Sequence, residues 1–133
     1  MNNFDNRYME MAEVWAKNSK ANRKKVGCLI VKDNQIISDG YNGTPTGFDN
    51  ACEDTKGETK REVLHAESNA IAKIAKSNYS SINSTLYTTL SPCYACSKLI
   101  IQCQIKRVVY KETYRNSIGL ILLRKANIEV IRL

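Results

Sequence analysis

Two short segments constrain this chain more than anything else in it: Leu64-His65-Ala66-Glu67 and Leu90-Ser91-Pro92-Cys93-Tyr94-Ala95-Cys96. Together they read His-x-Glu followed by Pro-Cys-x-x-Cys. A fold that uses both must bring an imidazole, a carboxylate and two thiols to one point from segments far apart in the chain. Cys93 and Cys96 are three positions apart in what reads as a first helical turn, so they share a face. His65 and Glu67 are two apart, about 200° around an ideal helix, and share no mid-helix face. They converge only on a site lying beyond a helix end. Each segment follows a strand or loop and opens a helix, so the fold must set two helix N-termini side by side at one sheet edge. The partial positive charge of a helix N-terminus favours thiolate at the two cysteines.

The rest of the sequence supplies the scaffold. Phe4, Tyr8, Met11, Ala12 and Trp15 recur at three- and four-residue spacing and predict a helix over 4–18 with that apolar face. Residues 26–32 and 35–41 read as strands, and Asp33-Asn34 between them suits a two-residue hairpin because both tolerate positive φ. Gly40-Tyr41-Asn42-Gly43-Thr44-Pro45-Thr46-Gly47 reads as a loop at a strand end, where binding residues gather. With the charged, irregular residues 48–62 it makes a stretch of about twenty residues, a length that predicts a loop closing over a site.

A helix over 65–77 presents Ala66, Ala70, Ile71, Ile74 and Ala75, and a strand follows over 85–90. Ser91 as N-cap and Pro92 at the first helical position predict a helix running to about Cys103, with Leu99, Ile100 and Cys103 inside. A strand over 107–112, a helix over 116–126 burying Ile118, Ile121 and Leu122, and a strand over 128–131 complete the chain. Alternation in the second half predicts parallel strands with right-handed crossovers. The class is α/β: a mixed five-stranded sheet, antiparallel at the hairpin, with helices on both faces.

At 133 residues, one domain over 1–133 is expected, large enough to bury its core without disulfide staples. The longest apolar cluster, 118–123, is interrupted by Gly119 and ended by Arg124, so no membrane span is expected. The first five residues have neither the basic start nor the apolar core of a secretory leader, and a cytoplasmic setting (host cytoplasm if viral) is expected. Five cysteines with one close pair point to metal or redox chemistry rather than a disulfide framework. A formal charge of +7 suggests an anionic partner: nucleotide phosphate, nucleic acid or an acidic surface. Arg23, Lys24 and Lys25 read either as a phosphate contact or as a solvated loop.

Two thiolates and an imidazole suit zinc, and three protein ligands leave a fourth position for water. A single histidine excludes a Cys2His2 site, while a fourth thiolate from Cys28, Cys52 or Cys103 is an alternative closure. An open zinc lowers the pKa of its water toward about 7. Glu67, not itself a ligand, is the group to carry the proton. A purely structural zinc has no use for such a carboxylate, which weighs against a zinc-stabilised binding module.

This signature resembles that of the zinc-dependent nucleobase deaminases. More narrowly, the chain resembles the deoxycytidylate (dCMP) deaminase family, especially its short phage and bacterial members. The resemblance rests on Val26-Gly27, Gly40-Tyr41-Asn42-Gly43-Thr44-Pro45, Asn50-Ala51-Cys52-Glu53, His65 to Ile71, Thr89 to Cys96, and Glu112-Thr113-Tyr114. It implies a three-layer cytidine-deaminase-like fold and deamination of dCMP to dUMP, which supplies thymidylate synthesis. It implies zinc held by His65, Cys93 and Cys96, with Glu67 as proton shuttle. Asn42 and Tyr114 are implied as substrate contacts, with Ala66 and Ser91 beside them. A homohexamer activated by dCTP and inhibited by dTTP is implied as well, with Mg2+ accompanying the triphosphate. Arg23, Lys25 and Gly43 are the expected effector region. With one histidine and no histidine-rich insertion, a second zinc is not expected.

A tRNA adenosine deaminase shares the metal motif and would use the positive charge for RNA. Glu112-Thr113-Tyr114 and a helix-then-strand ending without an added basic helix weigh against it, so a nucleic-acid partner is not expected. Free cytidine or an antibiotic nucleoside is a further alternative substrate.

Overall fold

A computed structural model describes residues 3–133; Met1 and Asn2, where the reading of the leader region begins, lie outside the described residues. The chain runs α1 (Asn3–Ala16), β1 (Gly27–Lys32), β2 (Gln35–Tyr41), α2 (Ala66–Ala75), β3 (Thr85–Leu90), α3 (Tyr94–Gln102), β4 (Arg107–Glu112), α4 (Ile118–Lys125) and β5 (Glu129–Arg132). These are the expected elements in the expected order. The five strands form one sheet ordered β2-β1-β3-β4-β5. β1 is antiparallel to both β2 and β3, and β3, β4 and β5 are parallel, as the α/β alternation predicts. Asp33 (φ 52°) and Asn34 (φ 60°) make the hairpin turn. The β1–β2 register slips between Ile30 and Val31, a bulge next to that turn.

Alternate strand residues feed two cores. Cys28, Ile30, Leu86, Val108 and Tyr110 face Ala66, Ala70 and Ile74 of α2, Ile100 of α3, and Leu120 and Leu123 of α4. Leu29, Val31, Tyr87 and Val109 face Tyr8, Met9 and Ala12 of α1. Helices therefore cover both faces of the sheet, in three layers. Val108 and Val109 are fully buried on opposite faces, each contributing roughly 1.5–3 kcal/mol of burial. Among the described residues, no helix is long and apolar enough to cross a membrane.

The buried faces of two helices differ from those predicted. On α1, Phe4, Met11 and Trp15 are exposed, while Asp5, Tyr8, Met9, Ala12 and Ala16 are buried. The cause is Asp5, whose carboxylate accepts from Arg107 Nη1 (2.9 Å) and from the Tyr87 hydroxyl (2.6 Å). A charge so paired can lie beneath a helix, and it rotates α1 about its axis relative to the apolar pattern. On α4, Ile118 and Ile121 are exposed and Leu122 is half-buried, while Gly119, Leu120 and Leu123 are buried. Gly119 sets that face: a Cβ there would lie 2.3 Å from the Pro92 carbonyl oxygen, so α4 sits directly against the entry to α3. Ala75 of α2 and Leu99 of α3 are likewise exposed, on the outer sides of their helices.

Candidate active site

α2 reaches the sheet closely because Gly40 carries no side chain. A Cβ on Gly40 would lie 2.4 Å from the Ala66 carbonyl oxygen. The Ser38 hydroxyl donates to Ala70 O (2.7 Å) and Asn69 Nδ2 donates to Tyr41 O (2.8 Å), which fixes the helix along β2. His65 is the extended residue just before α2 (φ −74°, ψ 160°). Its carbonyl accepts the Asn69 N–H (3.0 Å) and the Ser68 hydroxyl (2.9 Å). Its ring makes no capping bond and is free to point away from the helix.

The start of α3 differs from the Ser91 cap expected from sequence. Cys93 is the capping residue (φ −71°, ψ 173°), and its Sγ accepts the Cys96 N–H at 3.5 Å. Ser91 and Pro92 lie before the cap. The Ser91 N–H donates to Glu112 O (2.8 Å), and its Oγ accepts the Tyr114 N–H (2.6 Å). Ser91 therefore ties the end of β3 to the segment after β4. A sulfur takes the capping role because it is the side chain at the residue where the chain turns into the helix.

These two helix starts face each other. His65 Nδ1 lies 3.4 Å from both Cys93 Sγ and Cys96 Sγ. The three ligand atoms all lie within 4.8 Å of one another. Tetrahedral zinc at about 2.0–2.1 Å from nitrogen and about 2.3 Å from sulfur needs donor separations of roughly 3.5–3.8 Å. The donor set fits that ion in number, type and spacing. The cluster includes none of Cys28, Cys52 and Cys103, so the alternative of a fourth thiolate finds no partner among the described residues.

The protonation pattern follows the geometry. The Cys96 thiol facing Cys93, with the His65 ring beside it, holds Cys93 well below the usual thiol range. Cys96 is pushed up by the same contact and by burial. His65 is raised, chiefly by its contact with the Cys93 sulfur.

Glu67 is buried at 4% exposure, in the first turn of α2. Burial pushes its carboxyl up to about 7, and the Cys93 charge adds to the rise. Its own backbone N–H, the His65 ring and the Thr88 hydroxyl pull the other way. A carboxyl balanced near neutrality suits proton carriage at physiological pH.

A cleft of about 650 Å³ opens above these groups, within the usual range for small-molecule sites. Its floor is His65, Ala66, Glu67 and Cys93, and Asn42, Ser91 and Tyr114 stand on its walls. All the expected substrate residues therefore meet in one place. Asn42 is held firmly: Oδ1 accepts the Val26 N–H (2.9 Å) and Nδ2 donates to Lys24 O (2.8 Å).

The expected effector residues do not gather in that cleft. Arg23 lines it, but Lys25 and Gly43 are not among its lining residues. Gly43 instead pairs with Leu64 through 3.1 Å and 2.8 Å backbone bonds, tying the strand-end loop to the residue before His65.

The long loop contributes Cys52, Glu53, Thr59 and Val63 to the cleft wall. Its anchor, Glu53, accepts the N–H groups of Asn22 (3.0 Å) and Arg23 (3.2 Å). The sequence reading missed this anchoring role, and it also missed Glu112 and Arg115 as cleft residues; Lys24, one of the three cations read as a candidate phosphate contact, lines the cleft. The available signal was the acidic Cys52-Glu53-Asp54 centre of the loop opposite the cationic run 23–25.

The chain belongs to the family described as the cytidine and deoxycytidylate deaminase zinc-binding region, which matches residues 2–112. It is similar over its whole length to the crystal structure of a dCMP deaminase from the cyanophage S-TIM5 in complex with dCMP and dUMP. That likeness has a TM-score of 0.97 and 42% identity, covering 100% of this chain and 99% of that one. It is 35% identical over 121 residues to the deoxycytidylate deaminase of Mycobacterium phage D29, covering 80% of this chain and 93% of that protein. It is 37% identical over 122 residues to the deoxycytidylate deaminase of Schizosaccharomyces pombe, covering 84% of this chain. The chain spans only 38% of the length of that relative and of its Saccharomyces cerevisiae counterpart.

Proposed function

We propose that residues 1–133 form a single zinc-dependent dCMP deaminase domain that converts dCMP to dUMP and ammonia and so supplies thymidylate synthesis. One observation carries this reading: a buried, non-ligand carboxylate, Glu67, stands beside a His-Cys-Cys donor set on the floor of a cleft whose rim carries Arg23, Lys24 and Arg115. The full-length likeness to a deaminase bound to dCMP and dUMP supports the choice of substrate.

His65, Cys93 and Cys96 would hold zinc, which when bound supplies the Lewis acidity that makes water nucleophilic near neutral pH. The chain's own residues do the rest. Glu67 accepts one proton of the attacking water and delivers it to the ring nitrogen N3 of cytosine as the C4–O bond forms and the C4=N3 π pair moves onto N3. It then takes the remaining proton of that oxygen and delivers it to the amino nitrogen, which departs as ammonia as the C4–N bond breaks and the C4=O bond of uracil forms. Its burial excludes bulk water from that proton path. Asn42 and Tyr114, with Ala66 and Ser91, hold the nucleoside, and the cationic rim holds the 5′-phosphate.

The same reading makes the protein a cytoplasmic homohexamer activated by dCTP and inhibited by dTTP. Mg2+ accompanies the triphosphate, and Arg23, Lys25 and Gly43 lie in the effector region. A dCMP saturation curve unmoved by dCTP and dTTP would remove the regulation, and a monomeric mass by light scattering would remove the hexamer.

The deciding experiment measures ammonia release from dCMP, deoxycytidine, dCTP and an adenosine-containing tRNA stem-loop. Release from dCMP is expected. Release from the stem-loop alone would overturn the reading in favour of RNA editing.

A further inference from the structure

Lys24 and Glu112 both line the cleft and form an ion pair, Nζ to Oε2 at 2.5 Å. Both are held in place by their backbones. The Lys24 carbonyl accepts Asn42 Nδ2 (2.8 Å), and Glu53 grips the two residues before Lys24. Glu112 ends β4 in register with Leu90, and its carbonyl accepts the Ser91 N–H (2.8 Å). The side chains are about half exposed, at 50% and 55%. A pair so open to water adds little to stability, so exchanging its partners costs the fold little.

We propose that Glu112 is a specificity-determining residue: as the partner of Lys24 it limits the negative charge the cleft accepts, favouring a nucleoside monophosphate over a triphosphate. This rests on the deaminase reading above. An unpaired lysine at the mouth would welcome any anion. A lysine already paired with a carboxylate exchanges it only for a stronger anion, such as a phosphate dianion. Once displaced, the Glu112 carboxylate stays in the cleft wall and repels the further charges of a β- and γ-phosphate. Like charge placed where an unwanted ligand would sit is an effective way to reject it. The second carboxylate of the rim, Glu53, is committed to the backbone N–H groups of Asn22 and Arg23, which leaves Glu112 to act on ligand charge.

The test compares zinc-loaded wild type with Glu112→Gln, which keeps the side chain's size. kcat/KM is measured separately for dCMP and dCTP, and affinity by calorimetry for the products dUMP and dUTP. The expected result is a wild-type preference for monophosphate that shrinks at least tenfold in the variant, in both turnover and product binding. Lys24→Met should raise KM for dCMP more than KM for unphosphorylated deoxycytidine, because only dCMP carries the anion that Lys24 meets. A monophosphate-to-triphosphate ratio that is the same in wild type and Glu112→Gln would overturn the proposal, as would a wild type with no such preference. Failure of the wild type to deaminate any cytosine nucleotide would instead overturn the deaminase reading, and this inference with it.

Discussion

Asp5 and Arg107 stand 102 positions apart in sequence and form an ion pair beneath α1, with the Asp5 side chain fully buried and that of Arg107 13% exposed. The pair joins the first helix to the start of β4, and the Tyr87 hydroxyl donates to the same carboxylate. Removing Asp5 strips Arg107 and the Tyr87 hydroxyl of their shared buried carboxylate, leaving Arg107 only a longer contact from Nε to Glu129 Oε2 (3.6 Å). Asp5→Ala should therefore lose about 3–5 kcal/mol of stability, seen as a lower urea midpoint. A loss below about 1 kcal/mol would show that water reaches Arg107 and replaces the carboxylate.

Tyr87 gives the protein an alkaline limit. Burial, and then donation to Asp5, push its phenol well above the usual tyrosine value. The folded-state value is thus above the unfolded one of about 10. The sign follows: this contribution is fully present below about pH 10 and is lost as pH rises beyond it. Urea unfolding from about pH 8 to about pH 11 should show wild type losing more stability than Tyr87→Phe. Parallel curves would refute the assignment.

Glu67→Gln should retain zinc and lose deamination by a factor of about 10² to 10⁴, the usual worth of a positioned acid–base group. The metal content is measured on the same sample as the turnover. A zinc-loaded variant with wild-type turnover would remove Glu67 from the proton path.

Zinc removal should leave the fold standing. The donor set lies at two helix starts, while the two cores on either side of the sheet are built from other residues, apart from Ala66 next to His65. Chelation should therefore abolish turnover and lower Tm by several degrees, as loss of a ligand that binds only the native state does, with the far-ultraviolet circular dichroism retained. Collapse of the helical signal would place this chain with small domains whose metal is their core.

Much of the molecule was legible because local pattern and tertiary structure agree. Strand alternation, the Asp33-Asn34 turn and the helix-opening positions of His65 and Cys93 are local facts, and the crossover rule turns them into one site. The errors have a common origin in contacts between distant residues. Pattern reasoning puts an aspartate outside, and Asp5 is inside only because Arg107 and Tyr87 meet it. Gly119 is buried because Pro92 comes within reach, and this turns Ile118 and Ile121 outward. Ser91 has the chemistry of a cap but is occupied by Tyr114. Lys24 and Glu112 carry no mutual signal in the chain at all.

The placement of β1 between β2 and β3 has a consequence for how the protein is made. Cys28 pairs with Thr88, so the hairpin that leaves the ribosome first must wait for β3. The helix carrying His65 and Glu67 is fastened to that hairpin through Ser38 and Tyr41, whereas the thiols follow directly on β3. The two halves of the donor set thus arrive on separate pieces that join at the Cys28–Thr88 seam. Long-range pairings of this kind form late. Metal capture by the emerging chain would therefore serve as a clock on the closing of that seam, read out by a fluorescent chelator surrendering its zinc.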